Sequence, residues 1–233
     1  IVILTHESPD GDAIGSSLAM YNALKQLNKH VDLIIPEYPE TFNFLEGAEQ
    51  IKKEGEEYYD LAISLDAADI KRLNGFAKYF EDAKVTINID HHGSNKMFAD
   101  YNFVNPDAPA CAQILILVLE FLGVNITKEI GTCLLTGIIT DTGGFKYEGT
   151  SKETFEFTSW LLSIGVNVTA IGDRSFYKCT SLTKIIIPAN VTKIGKQAFY
   201  GCKKLKSITI KTTELTSRKV GSKAFKNINK SAT

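Results

Sequence analysis

The stretch Ile1-Val2-Ile3-Leu4-Thr5-His6-Glu7-Ser8-Pro9-Asp10-Gly11-Asp12-Ala13-Ile14-Gly15-Ser16 decides the fold. Its first four residues are apolar, as a short strand buried on both faces of a parallel sheet should be. Polar residues follow, and from Ala13 to Leu27 the spacing is helical. The same alternation runs outward from this opening. Val31–Ile35, Leu61–Leu65, Val85–Ile89 and Leu134–Thr140 read as further strands, and Ala110–Leu122 as a second helix closed by Gly123. Repeated strand–helix units predict an α/β domain, doubly wound, on a mainly parallel sheet.

The polar residues cluster where those strands end. His6, Asp10 and Asp12 follow the first run, Asp66 the third, Asp90-His91-His92 the fourth, and Asp141 the run ending at Thr140. In an open parallel sheet the carboxyl ends of the strands share one edge, where ligand crevices form. A lone Asp after a strand is ordinarily a helix N-cap or turn former. Four such groups at separate strand ends, two of them with histidine, instead suggest one site. So many carboxylates need cations, and carboxylate with imidazole suits Mn²⁺ or Mg²⁺ better than a thiolate-rich zinc site does. Six candidate ligands suffice for two ions if one carboxylate bridges them, and a pair about 4 Å apart can drive phosphoester hydrolysis. The helix starting near Ala13 would aim its N-terminal N–H groups at the same place, favouring an anionic substrate.

The motifs around His6-Glu7-Ser8-Pro9-Asp10-Gly11-Asp12, Asp66, Asp90-His91-His92 and Gly137-Ile138-Ile139-Thr140-Asp141-Thr142-Gly143 resemble motifs one to four of the DHH phosphoesterase superfamily, over roughly residues 1–166. Within it the resemblance is to the bacterial nanoRNase and pAp phosphatase group. The resemblance implies His6 and Asp10 on a first Mn²⁺, Asp12, His91 and Asp141 on a second, and Asp66 bridging. It also implies that Asp90 orients the imidazoles and that His92 faces the phosphate or leaving group. Lys146 stands where the family often has an arginine, which would make it a phosphate contact; a solvated loop lysine is the alternative. The group carries a further DHH-associated domain with a Gly-Gly-Gly-His motif that grips the substrate. These 233 residues contain no glycine triplet, so the resemblance implies weakened substrate binding. The segment Pro109-Ala110-Cys111-Ala112-Gln113 also departs from the family's Ser-Thr-x-Glu.

Length and composition allow one or two globular domains: 233 residues, 44% hydrophobic, 23% charged, with a formal net charge of −1. That near-neutrality conceals a division. Residues 1–170 hold 25 Asp+Glu against 12 Lys+Arg, a net −13, whereas residues 171–233 hold 2 acids and 14 bases, a net +12. A repeat accompanies the change. Asn167-Val168-Thr169-Ala170-Ile171-Gly172 returns as Asn190-Val191-Thr192-Lys193-Ile194-Gly195, and Phe176, Cys179 and Leu182 return as Phe199, Cys202 and Leu205, all 23 residues later. A partial third copy, Val220-Gly221 and Ala224-Phe225, follows after 26. Such a period fits one short strand per turn of a solenoid. The block Ile171–Pro188 and its copy Ile194–Lys211 resemble the BspA-like leucine-rich repeats. The expected domains are therefore a DHH phosphoesterase domain over 1–166 and a short leucine-rich-repeat solenoid over 167–233, two coding segments joined near Asn167.

No apolar stretch reaches the roughly 18 to 20 residues of a membrane span. A start at Ile1, without Met or an apolar leader, is expected of a fragment with no signal peptide. All four cysteines are expected to be core thiols. The phosphoesterase half points to the cytoplasm, whereas BspA-type repeats alone would suggest the cell surface. Expected partners are a short RNA or nucleotide phosphate substrate and, through the repeats, a protein. The lysines of the repeat block are expected on a solvated face, with no aromatic platform beyond Phe176, Phe199 and Phe225, though docking against the acidic domain is another use for them. Three functions follow: a two-metal phosphoesterase for short oligoribonucleotides or pAp; a manganese pyrophosphatase, disfavoured by Pro9-Asp10-Gly11-Asp12-Ala13 with Gly15-Ser16; and a repeat-based binding protein carrying an inactive DHH remnant.

Overall fold

The computed structural model describes residues 1–147, 149–166, 170–171, 176–180, 182–187, 189 and 191–232. These fall into two compact units, Ile1–Asp141 and Thr142–Thr233.

The first unit is built on five parallel strands: β1 (Val2–Leu4), β2 (Asp32–Ile34), β3 (Ala62–Leu65), β4 (Thr86–Asp90) and β5 (Tyr101–Val104). Their order in the sheet is β2-β1-β3-β4-β5, with Ile3 opposite Leu33 on one side and Ile63 on the other. The chain therefore reverses direction across the sheet between β1 and β3. Side chains alternate, so Val2, Leu4 and Ala62 pack with Phe80 of helix α2 (Ala77–Glu81), while Ile3 points the other way and is equally buried. Helix α1 (Gly11–Gln26) packs on β1, β2 and β3, and helices α3 (Cys111–Phe121) and α4 (Lys128–Asp141) pack against α1. The expected α/β architecture is thus what the chain adopts. No helix among the described residues is long and apolar enough to cross a membrane.

Two elements differ from expectation. Leu134–Thr140, read as a strand, lies inside helix α4. The run Ile138-Ile139-Thr140 has strand composition, but the buried positions Ile130, Leu134, Gly137 and Ile138 recur at helical spacing. On the outer face Thr132, Thr136 and Thr140 each donate a hydroxyl to the carbonyl four residues earlier. Strand β5 escaped notice because it is a sheet edge, with Tyr101 and Phe103 exposed.

The division after Asp141 puts helix α5 (Lys152–Ser163) in the unit that holds the repeats, although the expected boundary at Val166 would assign it to the phosphoesterase half. The seam residues Asn167–Thr169, and Gly172, Pro188 and Asn190 of the repeat pattern, lie outside the described residues. Around them β6 (Ala170–Ile171) pairs in parallel with β8 (Lys193–Ile194), and β7 (Lys184–Ile187) with β9 (Ser207–Ile210). Lys184 meets Ser207 and Ala170 meets Lys193, the 23-residue offset of the repeat, and Ile194 bridges to Val220 of the partial third copy. Phe176, Phe199 and Phe225 stack at 4.8 and 5.0 Å. Phe155 of α5 and Phe145 cover the first ring of that ladder, at 5.6 and 5.1 Å from Phe176. Helix α5 thus closes one end of the stack, as terminal elements of a repeat array must.

Candidate metal centre

Three strands and one helix end at the same edge of the first unit. His6 lies two residues beyond β1, Asp66 directly after β3, and Asp90 is the last residue of β4 with His91 and His92 following. These strands flank the point between β1 and β3 where strand order reverses, the position at which open α/β sheets bind ligands. Asp141, expected after a strand, instead closes helix α4.

Asp10 and Asp12 sit at the start of α1. The Asp10 carboxylate accepts from the Asp12 and Ala13 amides at 3.0 and 3.1 Å, so it serves as N-cap while remaining exposed to the site. Two of the amides expected to face a substrate anion are used in this way. Asp12, by contrast, is wholly buried. Its Oδ1 accepts from Ser16 Oγ at 3.1 Å and Ala112 N at 2.9 Å, and its Oδ2 from Cys111 N at 2.6 Å. Helix α3 has no side-chain cap at Ala110, and Asp12 from α1 supplies the missing acceptor. The departure at Pro109–Gln113 therefore leaves the helix terminus satisfied.

The side chains converge in three overlapping groups: His6, Asp10 and Asp66; Asp12, His91 and Asp141; and Asp66, His91 and His92. Each group offers ligand atoms within 4.8 Å of one another. His91 Nε2 lies 3.3 Å from Asp141 Oδ2, 3.5 Å from Asp66 Oδ1 and 3.9 Å from Asp12 Oδ2. His6 Nε2 lies 3.7 Å from Asp66 Oδ2. Asp66 and His91 are each shared between two groups, and Asp66 adopts a left-handed backbone with φ of +56°. Outliers of this kind concentrate at functional sites.

Electrostatics show what the cluster lacks. Burial, reinforced by the Asp66 charge, raises the Asp12 carboxyl well above its ordinary range. Burial likewise raises Asp141. Burial also pushes Asp66 upward, but the neighbouring His6 and His91 together outweigh it and hold Asp66 below the usual carboxylate value. His91 is opposed by burial yet lifted to about 9 by Asp66, Asp12 and Asp141. Among the described residues Asp66 Oδ1 and His6 Nδ1 are buried without a hydrogen-bond partner. Oxygen and imidazole donors with orphaned lone pairs fit divalent cations, and the residues present therefore suit the metal ions that the sequence implies.

His92 is held from behind. Its Nδ1 lies 2.7 Å from Asp90 Oδ1, and because an ionised carboxylate only accepts, that nitrogen carries the proton. The hydrogen bond raises the His92 pKa. Burial opposes ionisation of Asp90, but His92 and Asn95 together lower it. Asn95 donates to Asp90 Oδ2 at 2.6 Å and to Asn88 Oδ1 at 2.8 Å. Asn95 was not singled out from the sequence, and Ser16 only as part of the Gly15-Ser16 motif, not as a partner of Asp12. The spacing Asp90-His91-His92-Gly93-Ser94-Asn95 and the four-residue step from Asp12 to Ser16 on one helix face were the available signals. Lys146 belongs to the second unit, in the turn where its amide donates to the Thr142 carbonyl. The Cys111 thiol, raised by burial, donates to the Ile89 carbonyl and is a core group.

Known proteins resemble this chain. The chain is 37% identical over 188 residues to the bifunctional oligoribonuclease and PAP phosphatase NrnA of Thermus thermophilus, covering 80% of this chain and 56% of that protein. It is 26% identical over 166 residues to the protein of the same name from Bacillus subtilis, covering 70% of this chain and 52% of the relative. The chain thus spans about half the length of these relatives. Among solved structures it superimposes on an exopolyphosphatase-related protein from Bacteroides fragilis with a TM-score of 0.64 and 31% identity, over 71% of this chain and 53% of that one. A putative family II inorganic pyrophosphatase from Methanococcus jannaschii shares the fold, with a TM-score of 0.55 and 18% identity, over 72% of this chain and 57% of that one. Residues 147–233 match the BspA type leucine rich repeat region, residues 1–138 match the DHH family N-terminal domain, and the chain belongs to the DHH family.

Proposed function

We propose that the first unit is a two-metal phosphoesterase acting on short oligoribonucleotides or 3′-phosphoadenosine 5′-phosphate. The observation that carries this reading is the convergence of His6, Asp10, Asp12, Asp66, His91 and Asp141 at the β1/β3 edge, around a bridging-type carboxylate with an orphaned oxygen. The names of the relatives support the substrate class.

In this reading His6 and Asp10 would hold one cation, Asp12, His91 and Asp141 the other, and Asp66 would serve both. When bound there, Mn²⁺, or Mg²⁺ in its place, would supply Lewis acidity for hydrolysis at a phosphoryl group. Asp12 is pinned by the first amides of α3 and by Ser16, so its oxygens stay where the chemistry needs them. Asp90 holds the Nδ1 proton of His92 and so directs the Nε2 edge of the ring outward, where it can donate a proton to the leaving oxygen. Lys146 lies in the second unit, and a phosphate contact for it in this reaction rests on the family resemblance alone. A cytoplasmic setting suits a nucleotide-directed activity.

Turnover of pAp, a short RNA, pyrophosphate and a generic phosphodiester with added Mn²⁺ tests the proposal. Activity on the first two that is abolished by chelation and by Asp66→Asn is the expected result. A preference for pyrophosphate would favour the pyrophosphatase reading. No turnover by a chain that binds two Mn²⁺ would favour a repeat-based binding protein with an inactive DHH remnant, a reading to which the repeats over residues 147–233 lend substance.

A further inference from the structure

The second unit contains a cavity of about 190 Å³ whose lining includes Lys146, Tyr147, Thr150, Tyr177 and Lys178. Two elements of the second unit make it. Lys146 and Tyr147 come from the turn preceding α5, whereas Tyr177 and Lys178 come from the repeat.

The lining is both cationic and aromatic. Both lysines are exposed, and the ion pairs of this unit among the described residues, Lys152–Glu156 and Lys219–Glu214, use neither of them. Thr150 Oγ1 is buried with no hydrogen-bond partner among the described residues. Tyr147 is 63% exposed, and its ring lies so close to Gly143 that a Cβ there would come within 2.5 Å of it. The Tyr177 ring stacks on Tyr200 at 5.3 Å and 10°, with Lys178 Nζ 5.4 Å from its centre. The repeat therefore carries an aromatic pair outside its phenylalanine ladder, contrary to the sequence expectation that no such platform exists.

Lysine ammonium groups suit a phosphate, and tyrosine rings suit a planar base; a nucleotide offers both. The volume is below the roughly 300 Å³ at which drug-sized sites begin, which limits the occupant to about one nucleotide unit. We propose that this cavity binds a single nucleoside monophosphate unit, free or at the end of a short strand, with its base against Tyr147 and its phosphate at Lys146 and Lys178. The repeat block would then contribute to gripping a nucleotide. The choice of ligand rests on the phosphoesterase reading; the cavity and its lining do not.

The test uses the full chain carrying Asp66→Asn, with chelator present, so that binding is measured without turnover. AMP, adenosine and inorganic phosphate are titrated by calorimetry, and AMP, Lys178→Gln and Tyr147→Ala are compared in that background. AMP is expected to bind at least about tenfold tighter than adenosine or phosphate, and each substitution to weaken it about tenfold, the loss typical of one charged or stacked contact. No binding at millimolar AMP, or an affinity unmoved by both substitutions in chains whose circular dichroism is unchanged, would overturn the proposal. Turnover by the unmodified chain judges the phosphoesterase reading separately, so failure of one is not failure of the other.

Discussion

Asp12 and Asp66 are both buried carboxylates of the same cluster, yet they differ in what holds them. Asp12 accepts hydrogen bonds from Cys111 N, Ala112 N and Ser16 Oγ, whereas Asp66 Oδ1 accepts none among the described residues. Removing them should therefore have different consequences. Asp66→Asn, which tolerates the left-handed backbone at φ +56°, should cut metal-dependent turnover about 100-fold or more. At neutral pH it should also lower the metal-free denaturation midpoint, because His6 and His91 favour the Asp66 charge in the folded state, a contribution lost as pH falls through the folded value. Asp12→Ala should also abolish turnover and lower metal-free stability by about 1 to 3 kcal/mol, since the α3 amides lose their acceptor. Denaturant titrations of the metal-free chains at neutral and acidic pH separate the two, because the Asp66→Asn loss fades in acid whereas the Asp12→Ala loss, which is that of an acceptor for the α3 amides, remains. The candidate ligands were legible in the sequence because their chemistry resides in short motifs. Ser16, Asn95 and the α3 amides were not, because their part depends on orientation rather than residue type.

At the scale of elements, the contact between α1 and α4 was the least legible. A Cβ on Gly15 would lie 2.4 Å from the Cys133 carbonyl oxygen, and one on Gly137 would lie 2.6 Å from Asp12 Oδ1. The helices approach at backbone distance, and the second of these contacts sets α4 beside a candidate ligand. Gly15→Ala should cost about 1 to 3 kcal/mol by overpacking, visible as a lowered melting temperature. Leu134–Thr140 is short and apolar, as a buried strand would be, but packing on α1 and α3 makes it part of a helix. A second element-scale feature anchors β2. Asp32, buried, accepts from Lys52 Nζ at 2.7 Å and Tyr59 Oη at 2.8 Å. Burial works against its charge, but Lys52 and Tyr59 hold its pKa below its ordinary value of 3.8. The folded value being the lower, this contribution to stability is fully present above 3.8 and is lost as pH falls through the folded value. Denaturation midpoints followed from about pH 6 to pH 3 should fall, and Asp32→Asn should flatten that part of the curve.

The molecule as a whole joins an acidic unit, Ile1–Asp141, of net −12 to a basic one, Thr142–Thr233, of +11, each with its own core. Phe199, fully buried between Phe176 and Phe225, is the centre of the second core. Phe199→Ala should cost that unit about 3 to 5 kcal/mol, and hydrogen exchange should quicken across residues 176–225 while the amides of the parallel sheet keep their protection. What the sequence by itself determined is the class of each half: apolar runs alternating with helical spacing, the histidine–aspartate motifs, and a 23-residue period are all local or periodic signals. Only the tertiary structure decided that Asp141 reaches the cluster from a helix, that Asp12 caps α3 from another element, and that α5 closes the phenylalanine ladder. The physical reason is common to all three. Hydrogen-bond direction and ring stacking join residues distant in sequence, and neither composition nor periodicity records which distant group completes a helix end, a ligand set or a stack.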